Sequence, residues 1–323
     1  MRDIRLDNIR GLLIILTVFG HLLEQTSGGI SHLYRIIYSF HMPAFIFISG
    51  YLAKWKPKKP VFFYLPLYLV TQLIYLIFDA LFIGNSKLTL SAFFTPYWHL
   101  WYLFSLIFYH LLLPFLNHLQ KKGRLIFFIF SILASLALPY IKADLYFMSI
   151  GRFFAFLPFF TAGYFLSKSH KAFPDLQFLV PFSVLFVMIC KGVSLKMLYG
   201  SFSYIHKSDI LIRATLILFA FAWISLLFAM PKTSCPLTSI GSNTLPIYIL
   251  HGFFIRVLKI CASKPENSLT ALIIAIVLCA SLSSLKAKKQ KKAVDTSSQK
   301  VYNIINTERS FFPWISKQKS KNL

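Results

Sequence analysis

Along this chain, long apolar runs alternate with short polar or basic connections. The runs have the length of membrane crossings rather than the shorter periods of a water-facing core. Stretches near residues 9–25, 36–53, 61–83, 99–119, 125–143, 152–168, 177–195, 209–230, 244–262 and 269–285 are each long enough, as helices, to cross ~30 Å of hydrocarbon. The pattern predicts an all-α fold, a polytopic membrane bundle of about ten transmembrane helices.

The connections set the expected orientation. Arg2 and Arg5, the "KWKPKK" of 54–59, the "KKGR" of 121–124, Lys168 with Lys171, Lys232 and the "KAKKQKK" of 286–292 all fall on one side if the chain crosses ten times. Both termini are then cytoplasmic. The opposite side carries Lys87, Lys196, Lys207 and Lys264 but no comparable cluster. The expected location is a bacterial cytoplasmic membrane, multi-pass, with the lipid bilayer as the principal partner. Residues 1–285 form the membrane domain, and 286–323 read as a basic cytoplasmic tail, disordered or surface-bound, whose "FFPWI" at 311–315 can rest on the headgroups. The first span is expected to stay in place, because it lacks a small-residue cleavage site and a second apolar run soon follows.

Composition agrees and narrows the function classes. The chain is 57% hydrophobic, 17% aromatic and only 14% charged over 323 residues, so most of it must sit in an apolar solvent. A net charge of +24 could suggest nucleic acid, but the basic residues fall in the short inter-span clusters, so no nucleic-acid partner is expected. The four cysteines, Cys190, Cys235, Cys261 and Cys279, lie singly and without metal-ligand spacing, and read as small packing residues. No metal is expected, since no two histidines stand at helical i, i+4 spacing and no acidic cluster accompanies them.

Candidate chemistry begins in the first run. "IRGLLIILTVFGHLLEQ" at 9–25 opens with Arg10 and carries His21 where lipid tails would lie. Eleven residues at ~100° each return almost to the same face and rise ~16 Å, so both side chains point one way. That face also carries Asp7, Thr17 and Glu24. Intramembrane ionisable groups cost roughly 2.5–3.5 kcal/mol each, so such a stripe faces a cavity or partner. A neutral imidazole there can take a proton from a hydroxyl, and a cation at the cytoplasmic mouth can hold an anionic donor.

These residues resemble a known family, the integral-membrane acyltransferase family 3. Its signature is Arg or Lys, ten residues, then His in the first span, preceded by Asp, and "RLDNIRGLLIILTVFGH" from Arg5 to His21 fits it. "FHMPAFIFISGYL" at 40–52 is similar to the second-span motif of the fucose 4-O-acetylase-like branch. "WHLWYL" at 98–103, "GRFFAFLPFFTAGYFL" at 151–166 and "IGSNTLPIYILHG" at 240–252 resemble the fourth-, sixth- and ninth-span motifs.

The resemblance covers roughly 3–285 and implies an acyltransferase: transfer of an acyl group, commonly acetyl from acetyl-CoA, to a hydroxyl of a surface polysaccharide or its lipid-linked precursor. No bound cofactor is expected, the acyl-CoA being a substrate. His21 and Arg10 match the family's essential pair, Arg10 on the donor and His21 as general base. Many members have Arg-x-x-Arg before the third span; here Lys56 and Lys59 stand at that spacing, point charges rather than bidentate forks, which weakens the donor-phosphate reading of that loop. No hydrolase-like domain follows the last span, so this chain is expected to complete transfer itself or to pass the acyl group on.

Other candidates surround this pair. His41, His99 with Trp101, and Arg152 open their spans at the outer mouth, where imidazoles and aromatic faces suit an acceptor sugar. His251 lies ~10 Å into the ninth span, within reach of His21. Ser242 or Asn243 can cap that helix, and His110, on the face of His99, reads as packing. Ser49 and Ser242 lack a nucleophile-elbow context. The alternative function is a polysaccharide transporter or export component without acyl chemistry, distinguishable by donor dependence. The oligomeric state stays open.

Overall fold

The computed structural model describes residues 3–27, 32–58, 60–82, 89–141, 146–169, 176, 210–261 and 269–284. The 177–195 run, Lys59 and the 286–323 tail lie outside the described residues. The regular structure among the described residues is all helical, with no strand. Helix α1 spans Ile4–Ser27 and α2 His32–Tyr51. A π-helical turn, Pro60–Tyr64, leads into α3, Leu65–Phe82. A 3-10 turn, Trp98–Leu100, leads into α4, Trp101–His118, followed by α5, Lys121–Ala137, and α6, Ile150–Ser169. Beyond these come α7, Ile210–Phe228, α8, Pro236–Ser242, α9, Thr244–Cys261, and α10, Leu269–Ser284.

Among the described residues, four helical stretches are long and apolar enough to cross a membrane: Ile4–Glu24, Pro60–Phe82, Trp98–His118 and Phe147–Ser169. Two shorter apolar helices, Arg213–Phe228 and Leu269–Ser284, accompany them. The first stretch is 83% buried and Pro60–Phe82 only 33%, so α1 runs through the middle of the bundle and α3 along its edge. Val70, Ile74 and Leu81 on α3 and Leu125, Ile126 and Leu133 on α5 are exposed, an apolar surface that lipid, not water, would cover.

Pattern reading missed α8, a helix of two turns that lies between α7 and α9 in the chain. It packs directly on α1 through paired glycines. A Cβ on Gly11 would strike the Leu237 carbonyl, and one on Gly241 would strike the Asp7 carbonyl, so the two backbones touch with nothing between them. Asn8 ties the same joint: its amide donates to the carbonyls of Pro231 (3.3 Å) and Thr233 (2.8 Å), and its oxygen accepts from the Thr238 hydroxyl (2.5 Å). Asn243, at the junction of α8 and α9, donates to the Ser239 carbonyl at 2.9 Å. It closes α8, and the neighbouring Thr244 is free to face α1.

Candidate functional site

Two cavities bear on the site, one lined by α1 and one walled by Trp98, the neighbour of His21. The first, about 280 Å³, is walled by Arg10, Ile14 and Thr17 of α1, Met42, Phe45 and Ser49 of α2, Tyr102, Leu106 and His110 of α4, and Thr244 and Tyr248 of α9. Arg10 enters this wall already oriented. Its guanidinium donates to the Thr244 hydroxyl at 2.8 Å and to Asp7 at 3.4 Å, and its side chain keeps 28% exposure. Five N–H donors on one planar group exceed those two acceptors, so Arg10 retains capacity for an anion. Leu52 and Ala53 line the same cavity where α2 ends, and exposed Lys54, Lys56 and Lys58 follow directly.

One turn beyond Thr17, outside the lining of this cavity, the histidines converge. His21 is 8% exposed, His99 3% and His251 fully buried. The His21 ring stacks on His251, centroids 5.4 Å apart, while His99 lies 4.6 Å from His251 and 6.3 Å from His21. Trp98 packs 4.5 Å from His21. His41 joins through Tyr38, whose ring lies 4.9 Å from its own.

Hydrogen bonds assign the ring nitrogens. His251 Nδ1 faces the Ile247 carbonyl at 3.1 Å and His41 Nδ1 the Ile37 carbonyl at 2.7 Å; a carbonyl only accepts, so both rings carry the proton on Nδ1 and present Nε2 as acceptor. His21 Nδ1 meets the Tyr38 hydroxyl at 2.8 Å and Glu24 at 3.3 Å, and the Tyr38 hydroxyl donates to Glu24 at 3.2 Å. The consistent direction is imidazole to phenol to carboxylate, which leaves Nε2 of His21 basic. A base held by an orienting hydroxyl and an acid behind it is the arrangement that proton abstraction needs.

Buried polar atoms are normally bonded. Among the described residues, neither ring nitrogen of His99 nor Nε2 of His251 has a partner. His99 is nonetheless tightly boxed, by Tyr75 at 5.2 Å and Tyr248 at 5.3 Å, and a side chain on Gly252 would collide with it. Trp98, just before it, adopts φ of 37°, a left-handed backbone that costs a bulky residue energy and aims its ring at His21.

The remaining sequence candidates fall elsewhere. Trp101 stacks on Phe156 at 5.1 Å and lies beneath the Arg152 guanidinium at 5.2 Å, a cation–π pair beside the histidine cluster and separate from it. Lys59 is outside the described residues. Sequence reading placed Trp98 only within the fourth-span motif and assigned no role to Tyr38, Asp79 and Arg256; the structure brings all four to this region. Arg256 donates to Asp79 at 2.9 Å, Tyr97 donates to the same carboxylate at 2.8 Å, and the pair lies beside Trp98. An ionisable residue inside an apolar run, the signal that singled out His21, was available for both Asp79 and Arg256.

With this geometry in view, comparison with known proteins decides the family. The family model described as an acyltransferase domain, family 3, matches residues 3–286. The chain belongs to that acyltransferase family. The match spans all the described elements, and the apolar helices make this acyltransferase a membrane protein. It is similar, over 58 residues, to the nodulation protein NolL of Sinorhizobium fredii (strain NBRC 101917 / NGR234), 48% identical, and to NolL of Mesorhizobium japonicum (strain LMG 29417 / CECT 9101 / MAFF 303099), 41% identical. Each alignment covers 16% of this chain and 16% of the relative. No solved structure matches the acyltransferase.

Proposed function

We propose that this acyltransferase takes an acyl group, acetyl first among them, from acyl-CoA on the cytoplasmic side and delivers it to a hydroxyl of a surface polysaccharide or its lipid-linked precursor. Both termini then lie in the cytoplasm of a cell whose cytoplasmic membrane holds the bundle, as the basic residues following the Arg10 cavity suggest. The observation that carries this reading is the position of His21. It lies beyond the wall of the Arg10 cavity, on the same helix, and its ring meets Trp98, which opens to a second cavity on the other side.

CoA phosphates sit at Arg10, with Lys54, Lys56 and Lys58 at the entrance and Lys59 next in the chain. The thioester reaches along α1 toward His21. The acceptor hydroxyl gives its proton to His21 Nε2 as its oxygen attacks the thioester carbon; the carbon–sulfur bond breaks, and the imidazolium returns the proton to the departing thiolate. Tyr38 and Glu24 hold Nδ1 and stabilise the transient cation. His251 Nε2 accepts a hydrogen bond from the acceptor hydroxyl, and the N–H of His99 donates to the developing oxyanion.

The test is acyl-CoA consumption by protein in nanodiscs together with the O-acyl content of surface glycan in cells. Wild type should consume donor and raise O-acylation, and His21→Ala should do neither while inserting normally. Unchanged donor consumption in His21→Ala would remove this histidine from the chemistry.

A further inference from the structure

The second cavity, about 200 Å³, is lined by Tyr97, Trp98, Ile255, Arg256 and Lys259. We propose that it seats an anionic sugar, a single ring bearing a phosphate or carboxylate, and so makes the acceptor of this acyltransferase a charged glycan unit; this rests on the acyl-transfer reading above.

Charge is the first ground. Arg256 and Lys259 face the cavity, and the one carboxylate held to this group among the described residues, Asp79, is engaged by Arg256 at 2.9 Å and Tyr97 at 2.8 Å. Two cations against one anion leave a net positive charge at the wall, and the exposed Lys259 supplies it. Asp79 fixes the guanidinium in one orientation, so that its remaining N–H donors are preorganised for an oxyanion rather than mobile at a surface. An aromatic wall is the second ground. The Arg256 guanidinium lies 4.9 Å from the Tyr97 ring centre and 5.9 Å from that of Trp98; Tyr97 also stacks on Tyr75 at 5.3 Å, so Tyr97 serves to hold the cation and Trp98 is the ring that walls the space beside it. Proximity to the chemistry is the third. Trp98 is both cavity wall and the nearest ring to His21, at 4.5 Å, and its left-handed backbone holds it in that double role. A sugar seated against Trp98 has its hydroxyls one side chain away from the base. The volume, below the ~300–1,000 Å³ of ordinary ligand pockets, suits one sugar ring rather than several.

Calorimetric binding of three probes to the full-length protein in nanodiscs tests this: glucose 1-phosphate, glucuronate and uncharged methyl glucoside. At least one anionic probe should bind the wild type ten or more times more tightly than the glucoside, and which one does so separates phosphate from carboxylate. Lys259→Gln should reduce that preference several-fold. Because Arg256→Gln alone strands a buried carboxylate, Asp79→Asn/Arg256→Gln is the companion variant; it keeps the net charge but loses the oriented fork, and it too should reduce the preference several-fold. CoA binding should persist in both variants. Equal binding of all three probes, no binding of either anion, or an undiminished preference in both variants overturns the proposal, as does loss of CoA affinity in them, which would make this the donor's seat. A wild type that prefers anionic sugars yet consumes no thioester would instead sink the transfer reading alone.

Discussion

His21 and His251, far apart in the chain, lie ring on ring with planes 22° apart and centroids separated by 5.4 Å. The two imidazoles are unequal. His251 Nδ1 is tied to its own helix backbone, whereas His21 Nδ1 leads through Tyr38 to a carboxylate. Only the second ring has a path that stabilises its protonated form. His21→Ala should therefore lower kcat by roughly 10²- to 10⁴-fold, the span of general base catalysis. His251→Phe, which keeps a flat ring, should cost only about two- to tenfold, a single neutral hydrogen bond. Steady-state kinetics on both variants settles the order; equal losses would place the base elsewhere in the cluster.

The link behind His21 predicts its own hierarchy. Tyr38→Phe removes the hydroxyl that bridges Nδ1 and Glu24 but leaves the ring contacts with His21 and His41. It should lower kcat by about two- to tenfold with KM little changed. Glu24→Gln replaces an anion by an amide and should cost more, since a charged hydrogen bond contributes roughly 1.5–3 kcal/mol. A KM effect without a kcat effect in either variant would assign these residues to binding.

At the other end of α1, donor affinity should follow the chemistry of Arg10. Arg10→Lys keeps the charge and loses the fork, so acyl-CoA binding should weaken in part. Arg10→Gln should lose about ten- to a hundredfold, equivalent to roughly 1.5–3 kcal/mol. Thr244→Val, which removes one orienting acceptor 2.8 Å from the guanidinium, should give a smaller loss. Equilibrium binding in nanodiscs, with insertion checked by protease accessibility, reads all three. Wild-type affinity in Arg10→Gln would leave this arginine as a membrane anchor.

The glycine joint makes a stability prediction. Gly241→Ala pushes a methyl group into the Asp7 carbonyl, and neither backbone can withdraw without moving α1 from α8. Overpacking of this kind costs roughly 1–3 kcal/mol. Thermal unfolding in detergent should shift downward, and because Asp7 and Arg10 ride on the same turn, donor affinity should fall with it. Ser242→Ala, next in sequence but half-buried and away from the Asp7 carbonyl, should change neither appreciably.

Sequence reading reached the helices and the axis of the site because both are written locally. Apolar length marks the spans, and the shared face of Arg10 and His21 follows from the helical period alone. His251 could be placed near His21 because depth along a helix is a simple rise. What it missed depends on contacts between helices or on backbone conformation. Nothing marks Tyr38 among 16 tyrosines, since only packing brings it to His21. Trp98 and Trp101 look alike in "WHLWYL", and the left-handed turn at Trp98 sends one toward His21 and leaves the other with Arg152. Helix α8 has too few residues for a period to show. Asp79 and Arg256 were legible singly as charges in apolar runs, but their pairing across α3 and α9 was not.

Because Asn8 and the Gly11–Gly241 contact fix α1 against α8 beside Arg10, while Trp98 and His251 grip it at His21, the helix between them acts as a ruler. Its graduation is eleven residues, ~16 Å of rise. Under the proposed chemistry a donor is measured from its phosphates to its thioester. Substrate choice then becomes a matter of length as well as of recognised groups: a thioester on a shorter arm falls short of the base, and one with no phosphate has no zero mark from which to be measured.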